Sequence, residues 1–506
     1  MTELELKLAL PPSQVVRLQG LPLFFRHQAG PVRVQLMRAH YYDTPDGLLA
    51  RNRMALRLRH EGQGWVQTFK TASGESLALS QRGEWEHAVP GPRLDWQLLR
   101  ATPLAQLPDL DTLPQRLRRV FSMRFERRSW PLVWHDGAQA VLCLDQGEIH
   151  VGAGARRRSV PICELEIEHR AGDAAVLWKF AQQLARDVAL VPLAASKAER
   201  GWELRHGPGE PRSTCLPPLD ARTPVLSAFA LEIAGPLAAL QHNLRHAVPG
   251  NPEYVHQARV ALRRLRSVLR AFGPLPETRA LRRRVRALRE PLGELGRVLG
   301  AARDADVFAT ETLGLLRTRF DLSLDTVAAR VEQRRTQAYA AIAALWQQPA
   351  HGQALLQAER LAWELAATPC GVQARSLNEV AAGLMDSAQK RVMKAARGLR
   401  RQDALARHQL RIEVKRLRYL ADLWTGFWPG KRMRHYLHTL EKLQVVLGAL
   451  NDAAATGRML REFGAGEALL AAWQTHEQKL LAQRLPLATL HLAELGHCAV
   501  PWHSRR

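Results

Sequence analysis

Ionic side chains recur on alternate residues at several points in this sequence. In "ELELK" (3–7) Glu3, Glu5 and Lys7 share one parity, while Leu4 and Leu6 share the other. "ALRLRHE" (55–61) repeats the pattern with Arg57 and Arg59, "RGEWEH" (82–87) with Glu84 and Glu86, and "ICELEIEH" (162–169) with Glu164, Glu166 and Glu168. A strand turns successive side chains to opposite faces, so each stretch would carry one apolar and one ionic face. Glutamates two apart on a strand lie about 7 Å from each other, close enough to repel and suited to sharing a divalent cation. Arg-x-Arg at that spacing suits an oligoanion, because guanidinium forks grip phosphate oxygens in pairs. From the residues alone, a solvated ionic sheet face and a metal–phosphate site both stand.

The elements that would position these residues follow from the periods along the chain. Up to about residue 205 the pattern is mostly period two, interrupted by helical pieces such as "DAAVLWKFAQQLARDVA" (173–189). That predicts a mainly antiparallel β domain with a few helices. Residues 206–224, "HGPGEPRSTCLPPLDARTP", are rich in Pro and Gly and carry no period, which places a linker at 206–222. From Pro224 onward Ala, Leu and Arg recur at helical spacing. The expectation is a multidomain α+β chain with a β domain at 1–205 and an all-α domain at 223–500. A length of 506 residues is ample for two domains with cores of their own.

The helical half repeats itself. "HQARVALRRLRSVLRAF" starts at His256 and "HQLRIEVKRLRYLADLW" at His408, and "VLGAARDA" (298–305) is matched by "VLGALNDA" (446–453). Two matched phrases in one order predict two related helical bundles. At about 100° per residue, His256, Arg259, Arg263, Arg266 and Arg270 fall within an arc of about 80°, opposite a leucine-rich face. In the second copy His408, Arg411, Lys415 and Arg418 form the same stripe, with Arg264 and Arg416 to the side of their stripes. A single basic helix face is ordinarily just solvated. Here the stripe holds almost no acid and occurs twice, which favours a binding role. His256 and His408 also have a plain reading as satisfied core histidines.

Composition narrows the classes. The net charge is +24. Residues 1–219 hold 29 Lys+Arg against 23 Asp+Glu, and residues 220–506 hold 43 against 25, so the helical half carries most of the excess. That half is suited to a polyanion. Aromatic content of 6%, with no RNP-like or zinc-finger pattern, argues against nucleic-acid readout. No run of about 18 apolar residues predicts a membrane span, and the opening residues do not read as a signal peptide. Five scattered cysteines without a CxxC pair fit a reducing cytoplasm. No Ser-His-Asp or Cys-His spacing competes for catalysis, and Gly152–Gly154 reads as a turn.

"ELELK" resembles the ExExK signature of the CYTH domain, the triphosphate tunnel metalloenzymes. "YYDTPDGLLARNRMALRLRHEG" (41–62), "QTFK", "RGEWE", "CLDQGE", "ICELEIE" and "SKAERGWEL" (196–204) resemble its later segments in order. The resemblance implies an eight-stranded antiparallel β tunnel barrel with an ionic interior and flanking helices. It further implies that Glu3, Glu5, Glu164 and Glu166 are catalytic metal ligands, with Glu168 and Asp145 as further candidates for metal or water positioning. Lys7, Arg57, Arg59, Lys70, Arg82, Arg127 and Lys197 would bind the phosphate chain, Lys7 also serving catalysis. For Glu84 and Glu86, tunnel ligation and charge balance for the arginines both remain. A site of carboxylates prefers a hard cation, so Mg²⁺ or Mn²⁺ is expected.

The helical half resembles the CHAD domain, a two-repeat module associated with inorganic polyphosphate. On that resemblance His256, Arg259, Arg263, Arg264, Arg266, His408, Arg411, Lys415, Arg416 and Arg418 would bind polyphosphate. The expected function is metal-dependent hydrolysis of inorganic triphosphate to pyrophosphate and phosphate in the tunnel, with polyphosphate bound by the helices. The alternatives are thiamine or nucleoside triphosphate hydrolysis, adenylate cyclase chemistry, or a non-catalytic polyanion-binding scaffold.

Overall fold

The computed structural model describes residues 2–62, 64–72, 77–107, 110–214, 219–276, 278–320, 322–368, 375–498 and 500–503, with backbone alone at 2, 3, 72 and 82. Its period-two stretches are strands: β1 (Thr2–Ala9), β2 (Arg33–Asp43), β3 (Met54–Glu61), β4 (Gly64–Ala72), β5 (Leu79–Val89), β6 (Arg118–Val133), β7 (Gln139–Val151), β8 (Arg158–Ala171) and a short β9 (Val191–Pro192). The sheet runs β5-β4-β3-β2-β6-β7-β8-β1-β9, and β5 also pairs with β1. Eight antiparallel strands therefore close on themselves, as expected.

Residues directly opposite each other on neighbouring strands share a face. Arg57 lies opposite Thr68, Lys70 opposite Glu84, Arg127 opposite Asp145, Asp145 opposite Glu164, Lys7 opposite Glu166, and Glu5 opposite Ser80. One face of the closed sheet is thus ionic from strand to strand. The other face buries Leu56 and Phe69 under Leu49, Leu99, Leu104 and Leu113, which come from short helices outside the sheet. The ionic face must be the interior.

That interior is not ionic along its whole length. The same parity carries Met37, Ala39 and Tyr41 on β2, Phe121, Met123 and Phe125 on β6, Ile149 and Val151 on β7, and Ile162 on β8. These residues form one apolar cluster with Ala198, Trp202 and Leu204 of the Lys197–His206 helix. The helix acts as a stopper packed on the inner wall. Gly201 allows the close fit, since a Cβ there would fall 2.3 Å from the Phe121 ring. Its start is fixed by a capping box between Ser196 and Glu199, which satisfies donors at the first turn.

The chain forms two compact units. One comprises Met1–Arg212, Leu237–His246 and Ala343–Arg360; the other comprises Ser213–Pro236, Ala247–Ile342 and Leu361–Arg506. The sheet-bearing unit thus includes two helical stretches from beyond the 206–222 segment. In it, Gln353 donates to the Ala185 carbonyl at 2.6 Å, and the buried Glu359 accepts from the Ala78 amide at 3.0 Å and from Gln241.

The second unit is helical. The Pro252–Phe272 helix buries Ala258, Leu262, Leu265, Leu269 and Phe272 on one side, and the Ala404–Leu423 helix buries Leu410, Val414, Leu417 and Leu420. Asn251 and Asp403 cap them by accepting from the Glu253 amide at 3.0 Å and the Ala406 amide at 2.7 Å. Phe272 and Trp424, equivalent in the two copies, meet with ring centroids 5.9 Å apart. Among the described residues, the Val225–Arg245 helix has the length and composition of a membrane span, which the sequence pattern had not singled out. Buried over 72% of that window, it has the surroundings of a core helix.

Candidate active site

Three carboxylates from adjacent strands converge inside the closed sheet. Asp145, Glu164 and Glu166 are all buried, and one oxygen from each lies within 4.8 Å of the others. Such a trio is costly unless cations compensate it. Lys197, at the first turn of the stopper helix, reaches Asp145 at 2.7 Å and Glu166 at 2.8 Å and also pairs with Glu164. Arg127 holds Asp145 at both oxygens, 2.7 Å each, and pairs with Glu166 as well. Arg200, one turn beyond Lys197, pairs with Glu164. Burial by itself would raise the Glu166 carboxyl, but Lys197, Arg127 and Lys7 hold it well below the usual range. Burial would likewise lower the Lys197 ammonium, and its three carboxylate partners raise it well above its ordinary value.

Beside this trio, Glu5 is 3% exposed and sits 2.5 Å from Lys7 Nζ. Ser80 Oγ lies 3.5 Å from the same Glu5 oxygen. Glu168 pairs with Arg170 at 2.5 Å and with Arg127 at 3.6 Å. Glu3 and Arg82 lie outside the described side chains.

The neighbouring strands supply the basic wall. Arg57 is 3.5 Å from Glu84 and 3.2 Å from Glu86, Arg59 is 3.2 Å from Glu86 and pairs with Glu61, and Lys70 is 2.8 Å from Glu84. Thr68 donates to Glu86 at 2.9 Å. Against burial, which raises it, Arg57 and Arg59 hold the Glu86 carboxyl at about 2. Glu84 and Glu86 thus pair with the cations of this wall, Arg57, Arg59 and Lys70. Arg127 also bears electrostatically on Arg59, so it belongs to both groups.

Sequence reasoning missed Arg200, Ser80, Thr68 and Glu61. Arg200 alone had a signal, its position three residues beyond Lys197 on one helix face. The donor set, all carboxylate oxygen with cationic neighbours, fits a hard divalent cation and an anionic substrate. Asp145, Glu164 and Glu166 could hold the metal ion.

In the helical unit the two stripes meet. Arg259 stands 3.7 Å from Asp304, and the equivalent Arg411 stands 3.7 Å from Asp452. Burial and the adjacent Arg411 and Arg263 push the Lys415 amine down to about 7, with Arg259 adding to the effect. His408 Nδ1 meets Asn451 Oδ1 at 2.5 Å, while His256 in the first copy neighbours Arg303. Arg263 lies 5.4 Å over the Tyr419 ring. Arg264, Arg270, Arg391 and Arg416 line a pocket beside Tyr419, where Arg416 pairs with Glu413. Arg266 bears on Arg297 and, with Arg270, on Arg416, while Arg418 donates to Gln444 at 2.8 Å.

Comparison with known proteins finds two families along the chain. Residues 1–202 match the CYTH domain and residues 233–461 match the CHAD domain, so the chain carries a CYTH domain followed by a CHAD domain. An inorganic triphosphatase of Haemophilus influenzae is 33% identical over 210 residues, which is 40% of this chain and 54% of the relative. The match thus spans about half the length of that relative. The crystal structure of a CHAD domain from Ricinus communis is 29% identical with a TM-score of 0.45, covering 59% of this chain and 98% of that one. A Hippeastrum protein described as an adenylyl cyclase candidate with a dominant triphosphatase activity is 19% identical with a TM-score of 0.29, covering 40% of this chain and 96% of that one.

Proposed function

We propose that the sheet-bearing half hydrolyses inorganic triphosphate to pyrophosphate and phosphate with Mg²⁺ or Mn²⁺, and that the helical half binds inorganic polyphosphate. The observation that carries the first part is the buried trio Asp145, Glu164 and Glu166 ringed by Lys7, Arg127 and Lys197. Glu5, Glu164, Glu166 and Asp145 would hold the cation, with Glu3 and Glu168 as further ligands. Once bound there, it would neutralise phosphate charge and lower the pKa of attacking water. Lys197 and Arg127, relieved of part of their carboxylate load, turn their donors to phosphate oxygens. Arg57, Arg59 and Lys70 extend that cationic wall, with Arg82 as a further candidate, and a linear oligoanion matches its shape and sign. In-line transfer to water then needs mainly positioning and charge stabilisation, which this ring supplies. Lys7 neutralises the transferred group while Glu5 beside it orients the water.

The helical half supports polyphosphate through two equivalent cation sets, Arg259 with Arg263 and Arg411 with Lys415, brought together at one place. The thiols of Cys143, Cys163 and Cys498 are free, which supports a cytoplasmic setting. The deciding experiment is a phosphate-release assay over triphosphate, ATP, thiamine triphosphate and longer polyphosphates, each with Mg²⁺ and with Mn²⁺. Preference for triphosphate is expected; turnover confined to ATP or thiamine triphosphate would overturn the reading in favour of organic substrates.

A further inference from the structure

A second group of ligating side chains lies in the sheet-bearing unit, away from the trio. Glu203 comes from the last turn of the stopper helix, and His242 and His246 are one turn apart at the end of the Val225–Arg245 helix. One ligand atom from each lies within 4.8 Å of the others. The two imidazoles stand nearly edge to face with centroids 5.1 Å apart, and His246 Nε2 is 3.5 Å from Glu203 Oε1. We propose that Glu203, His242 and His246 form a binding site for a borderline divalent transition metal ion, represented by Zn²⁺.

Three observations carry this. The first is spacing: zinc bonds of about 2 Å at tetrahedral angles put ligand atoms about 3.3 Å apart, close to the His246–Glu203 separation. The second is orientation. His242 Nε2 faces the Glu210 carbonyl at 3.2 Å, and a carbonyl only accepts, so Nε2 donates there and Nδ1 would be the ligating nitrogen. A ligating histidine ordinarily donates its other N–H to just such an acceptor. The third is the support around Glu203. Arg245 grips both of its oxygens, at 2.6 and 2.5 Å, and a carboxylate still has lone pairs to offer beyond those two bonds.

Protonation states agree with the geometry. Burial, with Arg212 close by, pushes the His242 imidazole down to about 4. Burial would raise the Glu203 carboxyl, but His246 and Arg245 hold it at about 2. Two imidazole nitrogens and one carboxylate oxygen select Zn²⁺, Co²⁺ or Ni²⁺ over Mg²⁺, so this site is chemically distinct from the trio. Arg245 and Arg212 add positive charge nearby, which sets a moderate affinity.

The inference does not rest on triphosphate hydrolysis. It is tested on the full chain with excess Mg²⁺ present to satisfy the all-carboxylate site. Co²⁺ is titrated by visible absorption and then displaced by Zn²⁺, and Zn²⁺ affinity is measured by calorimetry. One equivalent of Co²⁺ with ligand-field bands is expected. Zn²⁺ affinity should fall at least tenfold in His246→Ala, with the far-ultraviolet dichroism unchanged. His246→Gln keeps side-chain bulk and a polar end without the imidazole, and should show the same loss if the alanine variant folds poorly. Absence of a cobalt spectrum in the unmodified chain, or equal Zn²⁺ affinity in that chain and in a folded variant, overturns the proposal.

Discussion

Lys197 Nζ stands 2.8 Å from Glu166 Oε1, inside a ring of three buried carboxylates. A buried ion pair loses most when one partner is removed, because the other is left uncompensated. Lys197→Met should therefore destabilise the protein by about 3–5 kcal/mol at pH 7. The pH dependence follows from the direction of the Glu166 shift. Its folded pKa is depressed, so its stabilisation is present above the ordinary carboxylate range and fades as pH falls through the folded value. Without Lys197 the carboxylates take up protons at higher pH, so the gap between the two proteins should narrow from pH 7 to pH 4.5. Denaturant melts at both values check this; a gap that is constant or widens counts against it.

Glu5→Gln keeps the shape of a 3%-exposed side chain and deletes its charge beside Lys7. Hydrolysis of triphosphate should fall by about two orders of magnitude or more, an effect of the size seen when a group stabilising transition-state charge is lost. Initial rates at millimolar Mg²⁺, with dichroism to confirm folding, read this directly. Near-normal turnover would remove Glu5 from the metal site.

Polyphosphate binding should weaken as pH rises through about 7, the value to which the Lys415 amine is pushed. A polyanion favours the ammonium form, so below that pH the charge is already present and affinity is flat. Above it, binding must take up a proton and affinity falls. Titrations at pH 6, 7 and 8 in constant salt measure the slope, and Lys415→Arg, charged throughout, should flatten it.

Reversing charge at Arg259 and Arg263 together, both to Glu, should weaken binding of long polyphosphate and reduce its salt dependence. Triphosphate hydrolysis should be nearly unchanged. Equal loss for RNA of matched charge would show a general polyanion surface instead.

Gly352 lies against the Leu190 carbonyl, where an added Cβ would be 1.9 Å from that oxygen. Backbone has little room to yield, so Gly352→Ala should cost about 1–3 kcal/mol, the ordinary penalty of overpacking. A thermal melt with a lowered midpoint is the expected result.

The ionic alternation was legible because strand parity is local: Glu5, Arg57, Arg59, Glu164 and Glu166 each declare a face within five residues. Closure was not legible from period alone, since the pairing of β5 with β1 sets Glu5 opposite Ser80, a relation between distant segments. The resemblance to a known family supplied it. Also hidden was the change along β6, where Phe121, Met123 and Phe125 share a parity with Arg127. A parity reading names a face but not a switch from apolar to ionic along it. The ion pairing at Glu84 and Glu86 required coordinates, because the arginines concerned lie on a strand two places away in the sheet. In the helical half the repeat exposed both stripes, whereas the gathering of Arg264 and Arg416 with Arg270 into one pocket depends on how the helices cross.

Closing the sheet with the first strand also imposes a timetable on synthesis. Glu5 on β1 must wait for Glu168 on β8, and the same compact unit draws in residues 343–360. At roughly 5–20 residues per second, the ribosome takes about ten to thirty seconds to deliver β8 and about twice that for the later stretch. Until then β1 can pair with β5 on one side only, and its β8-facing edge stays open, with Leu4, Leu6 and Leu8 along one face. A nascent chain of this design therefore keeps one edge of its first strand open until β8 has emerged.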